Sequence, residues 1–148
     1  MSLQTVACAS GLSPAFTLPV RVYWEDTDAG GIVFYANYLK FFERARTEWL
    51  RSLGIEQQRL RDQTGGMFVV SETCIKYHRP ARLDDLLCIT VDLKEVGRVS
   101  LTLMQSSLLN KDQLCQGSIR IGWVDATSLK PARIPTTVLA ALSSTSPH

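Results

Sequence analysis

The sequence predicts an α+β fold in which one long helix packs against a five-stranded antiparallel sheet. Three features support this fold class: an alternating pattern near the amino terminus, a long amphipathic helical pattern after it, and four further strand-like runs. At 148 residues the chain has the length of one ordinary domain. We expect residues 17–142 to form that domain, with residues 1–16 as a flexible leader and 143–148 as a flexible tail.

The first predicted strand covers residues 17–24, where every second side chain from Leu18 to Trp24 is apolar. Such alternation places the apolar side chains on one face of a strand. The strand runs into the segment "EDTDAGG", in which three carboxylates precede Gly30 and Gly31.

A helical pattern follows at about 36–53. Apolar residues recur there at steps of three and four, forming one stripe: Tyr38, Phe41, Phe42, Ala45, Trp49 and Leu53. Arg44 and Glu48 have the i,i+4 spacing of a helical ion pair. Gly54 then supplies a common helix stop, and "EQQRLRD" predicts a short second helix.

Four strand-like runs complete the predicted sheet: "MFVVSETCIKYH", "DLLCITVDLKEV", "RVSLTLMQSSLL" and "QLCQGSIRIGWVDA". Short connections favour antiparallel neighbours in chain order, which is a meander. The segment "TTVLAAL" predicts a terminal helical turn. Because one helix covers only one face of such a sheet, the other face is either polar or covered by another subunit, so a homo-oligomer is plausible.

The composition excludes several classes of function. Sixteen basic and fourteen acidic residues are interspersed and give a net charge of +2, which offers no electrostatic case for nucleic-acid binding. No apolar stretch is long enough for a transmembrane helix, and the amino terminus has no signal-peptide pattern. The four cysteines and two histidines lack zinc-site spacing, so we expect four reduced thiols and a cytoplasmic location.

The acidic turn before the long helix invites three chemical interpretations. A calcium loop is disfavoured because, counted from Asp26, the fifth position is Gly30, which has no side-chain oxygen, and the twelfth is Asn37 where a Glu is required. An aspartyl nucleophile for phosphoryl transfer is disfavoured because that chemistry needs a parallel sheet and further acidic and lysine residues.

Carbonyl chemistry is the third interpretation. Backbone N–H groups at a helix start have no intrahelical partner, so they can polarise a carbonyl and stabilise the oxyanion formed on attack. Gly30 and Gly31 allow a substrate to approach the backbone, and Asp28 is placed to activate water or to attack directly. This chemistry requires no metal and no cofactor. The residues alone leave open the alternative that the acids only cap the helix.

The stretch "VRVYWEDTDAGGIVFYANYLKFFERARTEWLRSLGI" resembles the opening of the 4-hydroxybenzoyl-CoA thioesterase-like hotdog enzymes. The closer likeness is to the bacterial Tol–Pal-associated acyl-CoA thioesterases of the YbgC type. "YHRPARLDDLL" resembles their second shared block, and the resemblance runs from about Leu18 to Pro135.

This resemblance implies a hotdog fold, dimers joined sheet edge to sheet edge, often tetramers, and hydrolysis of an acyl-CoA. It assigns the essential carboxylate to Asp28, as general base or nucleophile, and carbonyl polarisation to the Tyr35 backbone N–H. Tyr35 departs from the pattern, since many Tol–Pal-type members carry His at this position and the aromatic branch tends to carry Tyr. The residues expected at the substrate site are Gly30, Gly31, Ile32, Tyr77 and Arg98, the last near the CoA phosphates.

Two rival functions keep the same fold. One is a module that binds acyl carrier protein or an envelope complex and has only vestigial hydrolysis. The other is dehydration of 3-hydroxyacyl thioesters, which uses a His with a carboxylate. His78 and His148 are poorly placed for the second.

Overall fold

The computed structural model describes residues 16–143. The helices and strands are β1 (Phe16–Arg21), α1 (Asn37–Ser52), α2 (Gln57–Thr64), β2 (Gly66–Tyr77), β3 (Leu86–Val96), β4 (Ser100–Leu109), β5 (Asp112–Asp125) and α3 (Thr136–Leu142), with a 3₁₀ turn at Trp24–Asp26. Apart from Phe16 and Ser143, the predicted leader and tail lie outside the described residues.

The strands form one five-stranded antiparallel sheet in the order β1-β3-β4-β5-β2. The predicted four-strand meander is therefore wrong for β2, which pairs with β5 from Gly66↔Asp125 to Tyr77↔Cys115. The segment between β2 and β3 is no hairpin turn, because it packs on the loop before α1, where the Val33 N–H donates to the Ala81 carbonyl at 2.9 Å. As a result β1 and β2 are the two edges of the sheet.

The long helix α1 packs on one face of this sheet, as its apolar stripe predicts. Phe41, Phe42 and Ala45 are fully buried, and Trp49 is 1% exposed. The fit is close at Gly117 on β5, where an added Cβ would lie 3.3 Å from the Phe42 ring. Burial of each large apolar side chain contributes about 1.5–3 kcal/mol, so this face anchors the helix firmly.

Two local predictions fail. The first strand ends at Arg21, and Trp24 lies in the 3₁₀ turn with 79% of its surface exposed, because the chain leaves the sheet there. The Arg44–Glu48 pair does not form: Glu48 is instead paired with Arg51, whose Nε lies 3.3 Å from Glu48 Oε1.

The face of the sheet away from α1 carries half-buried, mostly polar side chains, including Thr102, Met104, Ser106 and Ser118. Coverage of this face by another subunit stays a prediction. No helix within residues 16–143 has the length and apolar character needed to cross a membrane.

The cysteines differ in state. Cys74 and Cys115 are free thiols, as predicted. Cys88 on β3 is disulfide-bonded, so the expectation of four reduced thiols is wrong for this residue. Cys8 lies outside the described residues.

Candidate active site

The acidic-glycine segment folds into a tight loop between β1 and α1. Thr27 and Val33 form an antiparallel bridge, and the Asp28 N–H donates to the Ile32 carbonyl at 2.9 Å. The Gly31 N–H donates to the Asp28 carbonyl at 3.1 Å, which closes a turn of four residues. Asp28 and Ile32 are therefore held side by side.

The Asp28 carboxylate is exposed, and its Oδ1 accepts a 2.8 Å hydrogen bond from the Gly30 N–H. A Cβ at residue 30 would lie 3.2 Å from that oxygen, so the lack of a side chain at Gly30 avoids a close contact with the carboxylate. Gly31 has φ +78°, a conformation that L side chains rarely adopt. Both glycines thus have a local structural role in the turn that presents Asp28.

Asp26 has a different role from Asp28. Its Oδ2 accepts from the Tyr23 N–H at 2.8 Å, and its Oδ1 accepts from Asn37 Nδ2 at 2.9 Å. Its carbonyl also accepts from the Phe34 N–H at 3.0 Å. Asp26 therefore connects the segment after β1, the loop and the start of α1, which fits a supporting residue rather than a reacting one.

The start of α1 has no side-chain cap. Its N-cap residue is Ala36, so neither Asp26 nor Asp28 caps this helix, and the capping alternative is not supported for them. The Asn37 N–H donates to the Phe34 carbonyl at 2.8 Å. In the described part of the chain, the N–H groups of Tyr35 and Ala36 have no hydrogen-bond acceptor. These two donors are available to a ligand.

A cavity of about 250 Å³ opens beside this helix start. It is lined by Ile32, Val33, Tyr35, Tyr38, Tyr77, His78, Arg79 and Pro80. The lining is largely apolar and aromatic, with charge only at Arg79, whose Nη2 lies 3.2 Å from Asp112 Oδ1. Such a lining suits an uncharged acyl group.

The tyrosine hydroxyls of this cavity have defined partners. Tyr77 Oη donates to the Tyr35 carbonyl at 2.9 Å, and Tyr38 Oη accepts from the Ala81 N–H at 3.0 Å. Burial raises the pKa of both Tyr38 and Tyr77. Both phenols are therefore protonated at neutral pH.

The predicted site residues fall into three groups. Ile32, Tyr35 and Tyr77 line the cavity, and Asp28, Gly30 and Gly31 form the adjoining loop. Arg98 lies elsewhere, in the turn between β3 and β4.

The distance of Arg98 from the cavity follows from the sheet register. Val99, next to Arg98, accepts from the Trp123 N–H, whereas Tyr77 pairs with Cys115, eight residues away along β5. Eight residues of strand span about 26 Å. Within one chain, Arg98 is therefore at the opposite end of the sheet from Tyr77.

Sequence reasoning missed Val33, Tyr38 and Pro80 as cavity residues. Tyr38 belongs to the predicted apolar stripe, yet its position as the second residue of α1, three residues after Tyr35, is a usable signal. Among residues 16–143, no three His, Cys, Asp or Glu side chains cluster as a metal site would require.

Comparisons with known proteins identify the family. Residues 22–142 match the model of the thioesterase-like superfamily. The chain is 43% identical to the acyl-CoA thioesterase YbgC of Haemophilus influenzae over 130 residues, covering 88% of this chain and 96% of that protein.

Solved structures agree with this result. A probable thioesterase from Bartonella henselae is 33% identical with a TM-score of 0.76, covering 80% of this chain and 98% of that one. A gentisyl-coenzyme A thioesterase is 27% identical with a TM-score of 0.77, covering 84% and 98%. The chain therefore belongs to the thioesterase-like superfamily, has its hotdog fold, and is a YbgC-type member.

Proposed function

We propose that this protein is an acyl-CoA thioesterase that hydrolyses an acyl-CoA to the free acid and CoA. The observation that carries the proposal is the unpaired Tyr35 N–H at the uncapped start of α1, beside a largely apolar cavity. The loop that presents Asp28 adjoins the same cavity through Ile32. The curated relative from Haemophilus influenzae carries this activity in its name.

In the proposed reaction the thioester carbonyl oxygen accepts a hydrogen bond from the Tyr35 N–H, and the acyl group occupies the cavity. Asp28 takes a proton from a water molecule, whose oxygen attacks the carbonyl carbon. The Tyr35 N–H stabilises the resulting oxyanion. The C–S bond then breaks, and the thiolate of CoA takes up the proton.

A covalent route uses the same groups. Asp28 attacks the carbonyl, releases CoA and forms a mixed anhydride, which water then hydrolyses. Single turnover in ¹⁸O-labelled water tests for the covalent route. The covalent route places label in the Asp28 carboxylate when water attacks the aspartyl carbonyl, whereas direct hydrolysis places label only in the product acid.

We further propose a homodimer, or a homotetramer built from such dimers, in which two copies of β2 pair edge to edge. The edge strand β2 is twelve residues long, and its residues from Val70 to Cys74 are exposed. Antiparallel pairing about a two-fold axis brings the Gly66 end of one β2 toward the Tyr77 end of the partner. Arg98 lies near the Gly66 end, so the dimer would bring it toward the partner's cavity, where it could bind CoA phosphates.

CoA is our proposed carrier, and acyl carrier protein is the alternative. Two exposed aromatic side chains would suit a protein carrier: Tyr35, which lines the cavity, and Phe34, whose ring lies 4.9 Å from the Tyr35 ring. A single domain over residues 17–142, a cytoplasmic location and an association with the Tol–Pal system remain predictions.

The function is tested by thiol release across a panel of short, medium and long aliphatic, benzoyl and hydroxybenzoyl thioesters. Each acyl group is presented on CoA and on acyl carrier protein. Because the cavity is only about 250 Å³ in one chain, we expect turnover of short or single-ring acyl-CoAs. Absence of turnover on every substrate, together with tight binding of carrier protein, would instead support a binding module.

A further inference from the structure

Tyr77 and Tyr35 connect the edge of the sheet to the start of α1. Tyr77 is the last residue of β2, and its backbone is held by pairing with Cys115 on β5. Its hydroxyl donates to the Tyr35 carbonyl at 2.9 Å, and its ring lies 5.8 Å from the Tyr38 ring, centroid to centroid. The sheet thus fixes the position of the hydroxyl relative to the helix.

The Tyr35 carbonyl lacks its usual helical partner. In a continuous helix it would accept from the Leu39 N–H, four residues later. Here the Leu39 N–H donates to the Ala36 carbonyl at 3.1 Å. Within the described residues, Tyr77 Oη is the hydrogen-bond donor to the Tyr35 carbonyl. The phenol therefore replaces a missing backbone amide.

Fixing this carbonyl also fixes a donor. The Tyr35 carbonyl and the Ala36 N–H belong to one planar trans peptide and point in opposite directions. The preceding peptide is held in the same way, because the Phe34 carbonyl accepts from the Asn37 N–H. The N–H groups of Tyr35 and Ala36 are thus held in fixed directions, and within the described residues neither has a hydrogen-bond acceptor.

We propose that Tyr77 is a positioning residue for catalysis and that the Ala36 N–H is a second oxyanion donor whose direction Tyr77 sets. This inference rests on the proposed thioesterase function. Without the phenol, the Tyr35–Ala36 peptide can rotate, and the second donor loses its alignment with the developing oxyanion. Since this donor acts on the transition state, its loss lowers kcat more than it raises KM.

The test is Tyr77→Phe, which removes one oxygen and keeps the ring. We expect kcat to fall by about 10- to 100-fold, somewhat less than the roughly 10²–10³-fold loss of a deleted oxyanion donor, with KM changed by less than about twofold. Tyr23→Phe is the matched control, because Tyr23 is 61% exposed and does not line the cavity. It should retain wild-type kcat.

The outcomes separate this inference from the function itself. An inactive wild type overturns the thioesterase proposal. An active wild type with unchanged kcat in Tyr77→Phe overturns the positioning role. A raised KM at constant kcat does so too, because it would assign the hydroxyl to substrate binding. Thermal unfolding of both variants, with midpoints near that of the wild type, ensures that the comparison is made between folded proteins.

Discussion

The Gly30 backbone N–H donates a 2.8 Å hydrogen bond to the Asp28 carboxylate, two residues before it in the chain. This bond orients the carboxylate within its own turn, while the neighbouring Gly31 allows the turn to close with φ +78°. The two adjacent glycines therefore serve different purposes, and substitution should separate them.

Gly30→Ala should lower activity more than stability. The new Cβ would lie 3.2 Å from Asp28 Oδ1 and displace the carboxylate by a few tenths of an ångström. Since Asp28 is the proposed base or nucleophile, misplacing its carboxylate should lower the rate, so we expect kcat to fall by about tenfold or more. Steady-state kinetics, with circular dichroism as a check on folding, measures this effect.

Gly31→Ala should lower stability more than activity. No atom lies within 4 Å of the added Cβ, so the substitution causes no clash. The positive φ alone should cost about 1–2 kcal/mol of unfolding free energy. Urea titration measures this loss, and an alanine variant as stable as the wild type would contradict the assigned conformation.

Asp26 and Asn37 should be interchangeable as a pair. Asp26→Asn places an amide against the Asn37 amide and should cost about 1–1.5 kcal/mol, since one hydrogen bond is lost. Adding Asn37→Asp restores a carboxylate–amide bond with the roles reversed, and it places negative charge at the helix start. Denaturant unfolding of the two single variants and the double variant measures these changes in unfolding free energy. A double variant no more stable than Asp26→Asn would contradict a structural role for the pair.

Arg46 and Gln105 form a buried polar pair between α1 and β4. Arg46 Nη1 donates to Gln105 Oε1 at 2.9 Å, and the two residues are 8% and 1% exposed. Burial lowers the pKa of Arg46, which reflects the cost of holding its charge there. Gln105→Leu should destabilise the fold by about 2–4 kcal/mol, because the guanidinium loses its acceptor.

The double variant Arg46→Met with Gln105→Leu is the control for this pair. It removes the charge together with its acceptor, so its loss of stability should be smaller than the sum of the single losses. Denaturant unfolding of the wild type, the two single variants and the double variant, all at one protein concentration, gives the four free energies of this double-mutant cycle. Strict additivity would show that the two side chains are not coupled.

Alkaline pH should destabilise the protein through Cys115. Burial raises the pKa of this thiol to about 12 from an ordinary value of 9.0. Above pH 9 the unfolded chain ionises while the folded thiol stays neutral, so the unfolding free energy should fall as pH rises from about 9 toward 12. Cys115→Ala should flatten this slope in urea unfolding, and an unchanged slope would assign it to other groups.

Local sequence patterns predicted the elements well but not their long-range pairing. Apolar residues at a spacing of two predicted the strands, and apolar residues at a spacing of 3.6 predicted α1. Both patterns are local, because burial of one face requires apolar side chains at regular intervals along the chain. They could not show that β2 pairs with β5, since that pairing depends on where the segment carrying Ala81 packs. Arg46 was overlooked as a buried residue, although its spacing from Phe42 and Leu50 placed it on the apolar face of α1.

The candidate site was predictable only in part. The loop from Asp28 to Gly31 stands out by composition, and Tyr35 by its position at a helix start. The hydrogen bond from Tyr77 to Tyr35 joins residues 42 positions apart, and no local pattern encodes it. The position of Arg98 relative to the cavity was not predictable either, because a charged residue in a turn gives no indication of which end of a sheet it occupies.

The measurement that tests the central claim most directly is kcat/KM of Asp28→Asn on the best acyl-CoA, beside wild type and Asp62→Asn. Asp62 is an exposed acid on α2, so its replacement controls for the loss of one surface charge. The account predicts a fall of about 10²–10⁴-fold for Asp28→Asn and wild-type activity for Asp62→Asn. Near wild-type turnover by folded Asp28→Asn would contradict the assignment of this carboxylate as base or nucleophile.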